Sequence, residues 1–242
     1  MSADQRESIV ILTGAGVSAD SGIPTFRGPG GLWEGHRIEE VATPEAWERD
    51  PVLVWRFYQM RRARLLESQP NEAHRALARL EETLSRARLP LLLVTQNVDD
   101  LHERAGSRPV HMHGELARVR CESCGYTPRD LEHLDPATFL PCGWCSHPRM
   151  RPDVVWFGEM PYHLEQIGQA LAACSHFIAI GTSGLVYPAA GFLSEARARG
   201  ARTWVNSLDP PENLHEADRF LPGRAAEVVP RLVAELESQL GR

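Results

Sequence analysis

Apolar residues gather in short unbroken runs along the chain: Ser8–Thr13 (S-I-V-I-L-T), Leu91–Thr95, Val154–Phe157, His176–Ile180 and Arg202–Asn206. Each is too short for a helix and rich in β-branched or other large apolar residues, the signature of a buried strand. Between them the apolar positions recur three and four apart. Leu77, Leu80 and Leu84 share one face of a helix capped by Asn71. Thr43-Pro44 and Asp50-Pro51 are cap-plus-proline starts, the second opening a helix through about Glu67. Further helices are expected over Tyr162–Cys174, over Ala189–Arg199 with Gly200 as its stop, and over Ala226–Leu240. Strands that alternate with helices predict an α/β, Rossmann-like parallel sheet with helices on both faces.

Two stretches break this rhythm. Thr25–Glu34 is rich in Gly and Pro and reads as loop. Arg118–Arg151 trades periodicity for Cys, Pro and Gly and reads as a metal-held insertion. The expected division is a Rossmann-like domain over 1–117 and 152–242, interrupted by a small zinc-ribbon module over 118–151. Part of the helical region 34–70 would complete a small lobe. A chain of 242 residues, 43% hydrophobic and 24% charged, suits one sizeable domain with such an insertion.

The polar motifs T-G-A-G, T-Q-N-V-D, G-T-S and N-S-L all follow strand C-terminal ends, where open α/β sheets bind ligands. Gly14-Ala15-Gly16, with Ala19 in the third small position, follows a strand and leads into an expected helix. Glycine lets backbone approach a pyrophosphate, and a helix N-terminus favours its charge; a plain tight turn would show the same residues. No acidic residue closes a second strand about 20 residues on, so this is not an ordinary dehydrogenase site.

The cysteines sharpen the picture. Cys121-x-x-Cys124, seventeen residues, then Cys142-x-x-Cys145 is the spacing of a tetrahedral zinc site. Four thiolates leave no open position, so one structural zinc is expected. Cys174 lies at an apolar helix end and reads as a buried core thiol. Net charge is −6, which disfavours nucleic acid or an anionic membrane as partner. There is no apolar run of about 18 residues, and Met1–Ser8 is polar and short, so a cytoplasmic protein without a membrane span is expected, a monomer in the simplest case. All 26 basic residues are arginine. Compositional drift explains that; it also means that an enzyme acting on lysine could not modify its own side chains.

Other residues carry two readings. His113 in V-H-M-H-G-E-L is either a general base or an ordinary histidine, and His111 two residues away could share its face. Gln96, Asn97 and Asp99 could hydrogen-bond a ribose or an amide, or cap a helix over Leu101–Ala105. Tyr58 and Arg61 share a helix face, which could equally be a solvated one beside Arg56, Arg62 and Arg64.

Taken in order, these motifs resemble the sirtuin family of NAD-dependent protein deacylases. The matching stretches are G-A-G-V-S-A-D-S-G-I-P-T-F-R-G (Gly14–Gly28), T-Q-N-V-D-D-L-H-E-R-A-G (Thr95–Gly106), H-G-E-L (His113–Leu116), the two C-x-x-C pairs, V-V-W-F-G-E (Val154–Glu159) and G-T-S-G-L-V-Y-P-A-A (Gly181–Ala190). The resemblance implies NAD as cofactor, held by Gly14, Ala15, Gly16, Ser18, Asp20, Thr25, Phe26, Arg27 and Trp33. It places Gln96 and Asn97 at the ribose, Asp99 at the nicotinamide carboxamide, and Gly181, Thr182 and Ser183 at phosphate and ribose. Asn206, Ser207 and Leu208 would meet the adenosine, with Ala225 closing the adenine side. His113 would be the proton acceptor. An acyl-lysine protein substrate would lie as a strand between Val155, Phe157, Gly158 and Glu159 on one side and Gly184, Leu185 and Val186 on the other, with Val155 or Trp156 lining the acyl channel beside Phe157. In the implied reaction the acyl oxygen attacks C1′ of NAD as nicotinamide leaves, His113 takes a ribose proton so that the hydroxyl attacks the resulting imidate, and water completes the release of free lysine and O-acyl-ADP-ribose. Tyr58 and Arg61 in Y-Q-M-R resemble the pair of the subgroup that removes acidic acyl groups, which implies succinyl, malonyl or glutaryl cargo alongside acetyl. The same pocket could serve an ADP-ribosyltransferase or an NAD hydrolase, and a non-enzymatic zinc-ribbon module is a third class.

Overall fold

The computed structural model describes residues 7–25 and 35–240. Six strands form one parallel sheet: β1 (Ile9–Thr13), β2 (Leu91–Thr95), β3 (Val110–His111), β6 (His176–Ile180), β7 (Arg202–Ser207) and β8 (Arg219–Pro222), in the order β3-β2-β1-β6-β7-β8. The remaining strands, β4 (Gly114–Cys121) and β5 (Met150–Val154), pair antiparallel as a separate ribbon. A parallel sheet must be covered on both faces, and the pleat divides its residues accordingly. Ile9, Ile11, Leu93, Ile178 and Ile180 pack under α4 (Glu72–Arg86) and α8 (Ala225–Leu240). Val10, Leu12, Phe177, Ala179 and Val205 pack under α6 (Leu164–Ala173) and α7 (Ala189–Ala198). The short α5 (Leu101–Ala105) links β2 to β3.

A third core lies apart from the sheet. It gathers Val41, Trp47, Val54, Trp55, Phe57 and Tyr58 from α1 (Ile38–Val41), α2 (Pro44–Arg49) and α3 (Pro51–Glu67) against Leu116, Val119, Met150, Val154 and Trp156. Cys121 and Cys142 belong to the same cluster. Arg62, fully buried, ties α3 to the cysteine-bearing segment through Asp130 at 2.8 Å. The caps act as the sequence suggests. Thr43, Asp50 and Asn71 accept backbone N–H groups of Ala46, Leu53 and Ala73.

Three expectations need correction. The glycine turn does not lead into an α-helix. Ala15–Val17 and Ala19–Ser21 are single 3-10 turns, stopped by Gly22 in the left-handed region, with Pro24 beyond; such short turns bring no sizeable macrodipole to an anion. The run Val154–Phe157 is strand only at its first residue, because β5 lies upstream at Met150–Val154. The segment from Gly114 is an eight-residue strand, hidden in the sequence because charged Glu115, Arg118 and Arg120 alternate with its inward residues.

Candidate active site

Register sets the site. Thr13 pairs with both Thr95 and Ile180, and Ile180 pairs with Asn206, so four adjacent strands end at one level. Backbone bonds carry the sheet a step further: Gln96 N donates to Thr13 O, Gly16 N to Gly181 O and Gly181 N to Asn206 O. A Cβ on Gly16 would sit 2.6 Å from Gly181 Cα. Glycine is therefore required at 16 by the approach of two loops to each other. Above these strand ends opens a cavity of about 820 Å³, at the break in strand order between β1 and β6.

The cavity brings together Gly14, Ala15, Gly16, Asp20, Thr25, Gln96, Asn97, Asp99, Gly181, Thr182, Ser183, Asn206, Ser207, Leu208 and Ala225 from the expected cofactor set. It also gathers His113, Tyr58, Arg61, Val155, Phe157, Gly158, Glu159 and Val186. Ser18, Gly184 and Leu185 are not on its wall. Phe26, Arg27 and Trp33 lie outside the described residues. The sequence reading missed Val98, Tyr187 and the loop Asp209–Glu212, all of which line it. The N-S-L motif pointed at the last of these, since that loop follows it directly.

His113 is half-buried between β3 and β4. Its Nδ1 is 3.0 Å from the Gln96 carbonyl, which can only accept, so the proton sits on Nδ1 and Nε2 carries the lone pair. Burial holds its pKa below the ordinary value, against the pull of that carbonyl. Gly114 makes this turn possible, because a Cβ there would lie 2.1 Å from Asp153 O at a φ of +78°. His111 faces elsewhere. Its Nδ1 lies 3.0 Å from Asn97 O and its Nε2 2.6 Å from Glu103 Oε1, two acceptors that ask for a proton on each nitrogen. Burial opposes that charge, but Glu103 outweighs it and the pKa is raised. His111 is therefore no partner of His113.

Beneath the cavity Ser18 is a hub. Its hydroxyl donates to Asp99 Oδ2 at 3.0 Å and accepts from Asn97 Nδ2 at 3.1 Å. His74 Nε2 is 3.4 Å away, with its Nδ1 accepting from Asn71 N. Asp99 Oδ1 accepts from Leu101 N, the first residue of α5, so Asp99 serves the helix start from the position before the N-cap Asp100 and also lines the cavity. Burial raises its pKa. Asn206 donates from Nδ2 to Leu221 O and Gly223 O, while its buried Oδ1 has no partner among the described residues. An orphan acceptor on a residue of the wall fits a hydroxyl- or amine-bearing ligand. The cavity volume falls within the range of about 300–1,000 Å³ usual for cofactor sites. Dinucleotide binding is consistent with both.

Tyr58 and Arg61 are buried, so the solvated-face reading of α3 fails. The Arg61 guanidinium lies 5.7 Å from the ring centroids of both Phe57 and Tyr58. Desolvation pushes the Tyr58 phenol up to about 12, so it stays protonated.

The four cysteine sulfurs cluster within 4.8 Å of one another. Cys121–Cys145 and Cys124–Cys142 are 3.6 and 3.7 Å apart, too far for disulfides. Zn–S bonds of about 2.3 Å in a tetrahedron require an edge of about 3.8 Å, so the donor set fits zinc.

Residues 14–188 match the model of the Sir2 family. The chain belongs to the Sir2 family. A Caulobacter vibrioides NAD-dependent protein deacylase is 51% identical over 234 residues, covering 96% of this chain and 98% of its own. The structure of a Sir2 homologue in complex with NAD superposes with a TM-score of 0.86 at 39% identity, covering 98% of this chain and 91% of that one. A Sir2 protein bound to a myristoylated histone peptide gives 0.74 at 28% identity, with 98% and 94% covered. Among the described residues of this Sir2 chain, no helix is long and apolar enough to cross a membrane.

Proposed function

We propose that this chain is an NAD-dependent protein-lysine deacylase whose acyl pocket favours succinyl, malonyl or glutaryl groups over acetyl. One observation carries the reading: a single cavity holds a histidine with its Nε2 lone pair available and, on another wall, a buried tyrosine–arginine pair. When bound, NAD supplies a nicotinamide leaving group and a sugar carbon able to receive the acyl oxygen.

The chain's own residues do the rest. Asp99, with its carboxylate aimed by Ser18 and Leu101, would hold an amide of the cofactor, and Gln96 and Asn97 its ribose. Gly181–Ser183 would take phosphate and ribose, and Asn206–Leu208 with Ala225 the adenosine end. His113 accepts a proton at Nε2 while Nδ1–H stays on Gln96; the lowered pKa keeps this base unprotonated at neutral pH. Val155, Phe157 and Val98 line the cavity with apolar surface, which suits the neutral amide of an acylated lysine. Arg61 offers two parallel N–H groups to a terminal carboxylate, and Tyr58 a third donor. The backbone beside Phe157–Glu159 and Gly184–Val186 would receive the substrate peptide as a strand. The division at 118–151, with the helices before residue 70 as part of the small lobe, belongs to this reading and is supported by the separate core around Cys121 and Cys142.

The test is a panel of acetyl-, succinyl-, malonyl- and glutaryl-lysine peptides, with and without NAD, read by mass spectrometry. NAD-dependent loss of acidic acyl groups with release of O-acyl-ADP-ribose is expected. ADP-ribose attached to protein, or released free, would instead identify a transferase or hydrolase.

A further inference from the structure

Acyl selectivity needs more than two donors at the right place; their protons must also point the right way. A phenol rotates freely about its C–O bond and can waste its proton on a neighbour. In this chain that freedom is removed. Trp156 Nε1 donates to the Tyr58 hydroxyl at 2.9 Å, filling the acceptor side of the oxygen. Among the described residues nothing accepts the Tyr58 proton in return. Tyr58 is fully buried, lines the cavity and stays protonated.

Trp156 is itself fixed from two sides. The Arg151 guanidinium lies 3.4 Å from its ring centroid. Glu159 grips Arg151 with both oxygens, at 2.7 and 2.9 Å, and Oε2 also accepts the Trp156 backbone N–H at 2.8 Å. Both carboxylate oxygens of Glu159 are therefore engaged within the protein. Arg120 adds a further charge 3.5 Å from Glu159.

We infer that Trp156 is a specificity-determining positioning residue: its indole N–H turns the Tyr58 hydroxyl so that the phenolic proton is presented to a carboxylate in the acyl pocket. This rests on the acidic-acyl reading of Tyr58 and Arg61. An acetyl group has no acceptor at that place, so the effect falls on acidic acyl groups alone.

The readout is the ratio of kcat/KM for a succinyl-lysine peptide to that for the matching acetyl-lysine peptide. Trp156→Phe keeps an aromatic ring and removes the N–H. Loss of one neutral hydrogen bond's orientation corresponds to a fall in the ratio of about two- to tenfold. The fall should appear in KM for the succinyl peptide and exceed any change on the acetyl peptide, whose channel Trp156 also lines. In a Tyr58→Phe background the same substitution should leave the ratio where Tyr58→Phe put it, because the hydroxyl to be oriented is gone. Should Trp156→Phe destabilise the fold, 3-benzothienylalanine at position 156 keeps the bicyclic shape with sulfur in place of N–H. Equal losses on both peptides, or a further fall in the ratio in the Tyr58→Phe background, would overturn the inference. Arg61→Met separates the two failures: if it leaves the ratio unchanged, the acidic-acyl reading itself is wrong; if it lowers the ratio while both changes at 156 do not, only the role of Trp156 is.

Discussion

Replacing Arg61 by Met removes a charge and keeps an unbranched side chain that fits a helix. Arg61 is only 8% exposed, so a carboxylate reaching it meets it almost out of water, where screening is weak. Its guanidinium is flanked by the rings of Phe57 and Tyr58, which limits the rotamer freedom it would lose on binding. Hydrogen bonds to charged groups are worth about 1.5–3 kcal/mol. At about 1.4 kcal/mol per factor of ten, the loss in kcat/KM for a succinyl-lysine peptide is about 10- to 150-fold. An acetyl group presents nothing to that charge, and its turnover should stay close to the parent value. Steady-state rates on paired succinyl and acetyl peptides of one sequence, with product resolved by mass spectrometry, measure both at once. Parallel losses on the two peptides would refute the argument, for then Arg61 supports the cavity wall and does not select the cargo.

Four further outcomes follow from the geometry. kcat/KM should be flat through neutral pH and fall only below pH 6.5, because protonating the lowered-pKa His113 removes the base; an acid limb at or above the ordinary histidine value would contradict its burial. His74, pushed down to about 4 by burial, binds its proton more readily when unfolded, so its contribution to stability is present above pH 6.5 and lost as pH falls toward 4; denaturant midpoints should drop across that window, less so in His74→Gln. Gly16→Ala forces a Cβ to within 2.6 Å of Gly181, and should cost about 1–3 kcal/mol in chemical denaturation and weaken NAD binding by calorimetry. Stripping zinc with a strong chelator, or Cys142→Ser, should lower Tm and alter tryptophan emission, since Trp47 and Trp156 share a core with Cys121 and Cys142; an unchanged melt in metal-free protein would remove the structural role.

The parts legible in the sequence are those with a local cause. β1, β2 and β6 announce themselves because a strand covered on both faces is apolar at nearly every position. The caps at Thr43, Asp50 and Asn71 are legible because the side chain bonds to a backbone group two or three residues on. What stayed hidden depends on distant partners. β4 carries Glu115 and Arg118, which pair with each other, and Arg120, which reaches Tyr162, so its alternation does not look like a core strand. The two-residue β3 and the edge strand β8 exist through pairing alone. Tyr58 and Arg61 were ambiguous at helical spacing, because burial of α3 comes from a third core assembled out of five separate segments. Glu159 was expected at the substrate, yet its carboxylate is engaged by Arg151 and the Trp156 backbone, a contact that no local pattern reveals.

The two imidazoles on V-H-M-H show how far identity falls short of role. They sit two residues apart and each places Nδ1 on a backbone carbonyl, Asn97 for one and Gln96 for the other. The carbonyls therefore hold a proton on Nδ1 in both, and the other nitrogen decides the chemistry. At His111 that nitrogen meets Glu103, whose charge overcomes the cost of burial and favours a second proton on the ring. At His113, which lines the cavity, the same nitrogen has no partner among the described residues, and burial lowers the pKa. His111 in turn favours the charged form of Asp99, partly offsetting the burial that raises that carboxyl's pKa. One histidine thus favours the charged form of an acceptor while its neighbour's pKa is lowered, and exchanging Glu103 for Gln should disturb the first without moving the Nδ1 proton of the second.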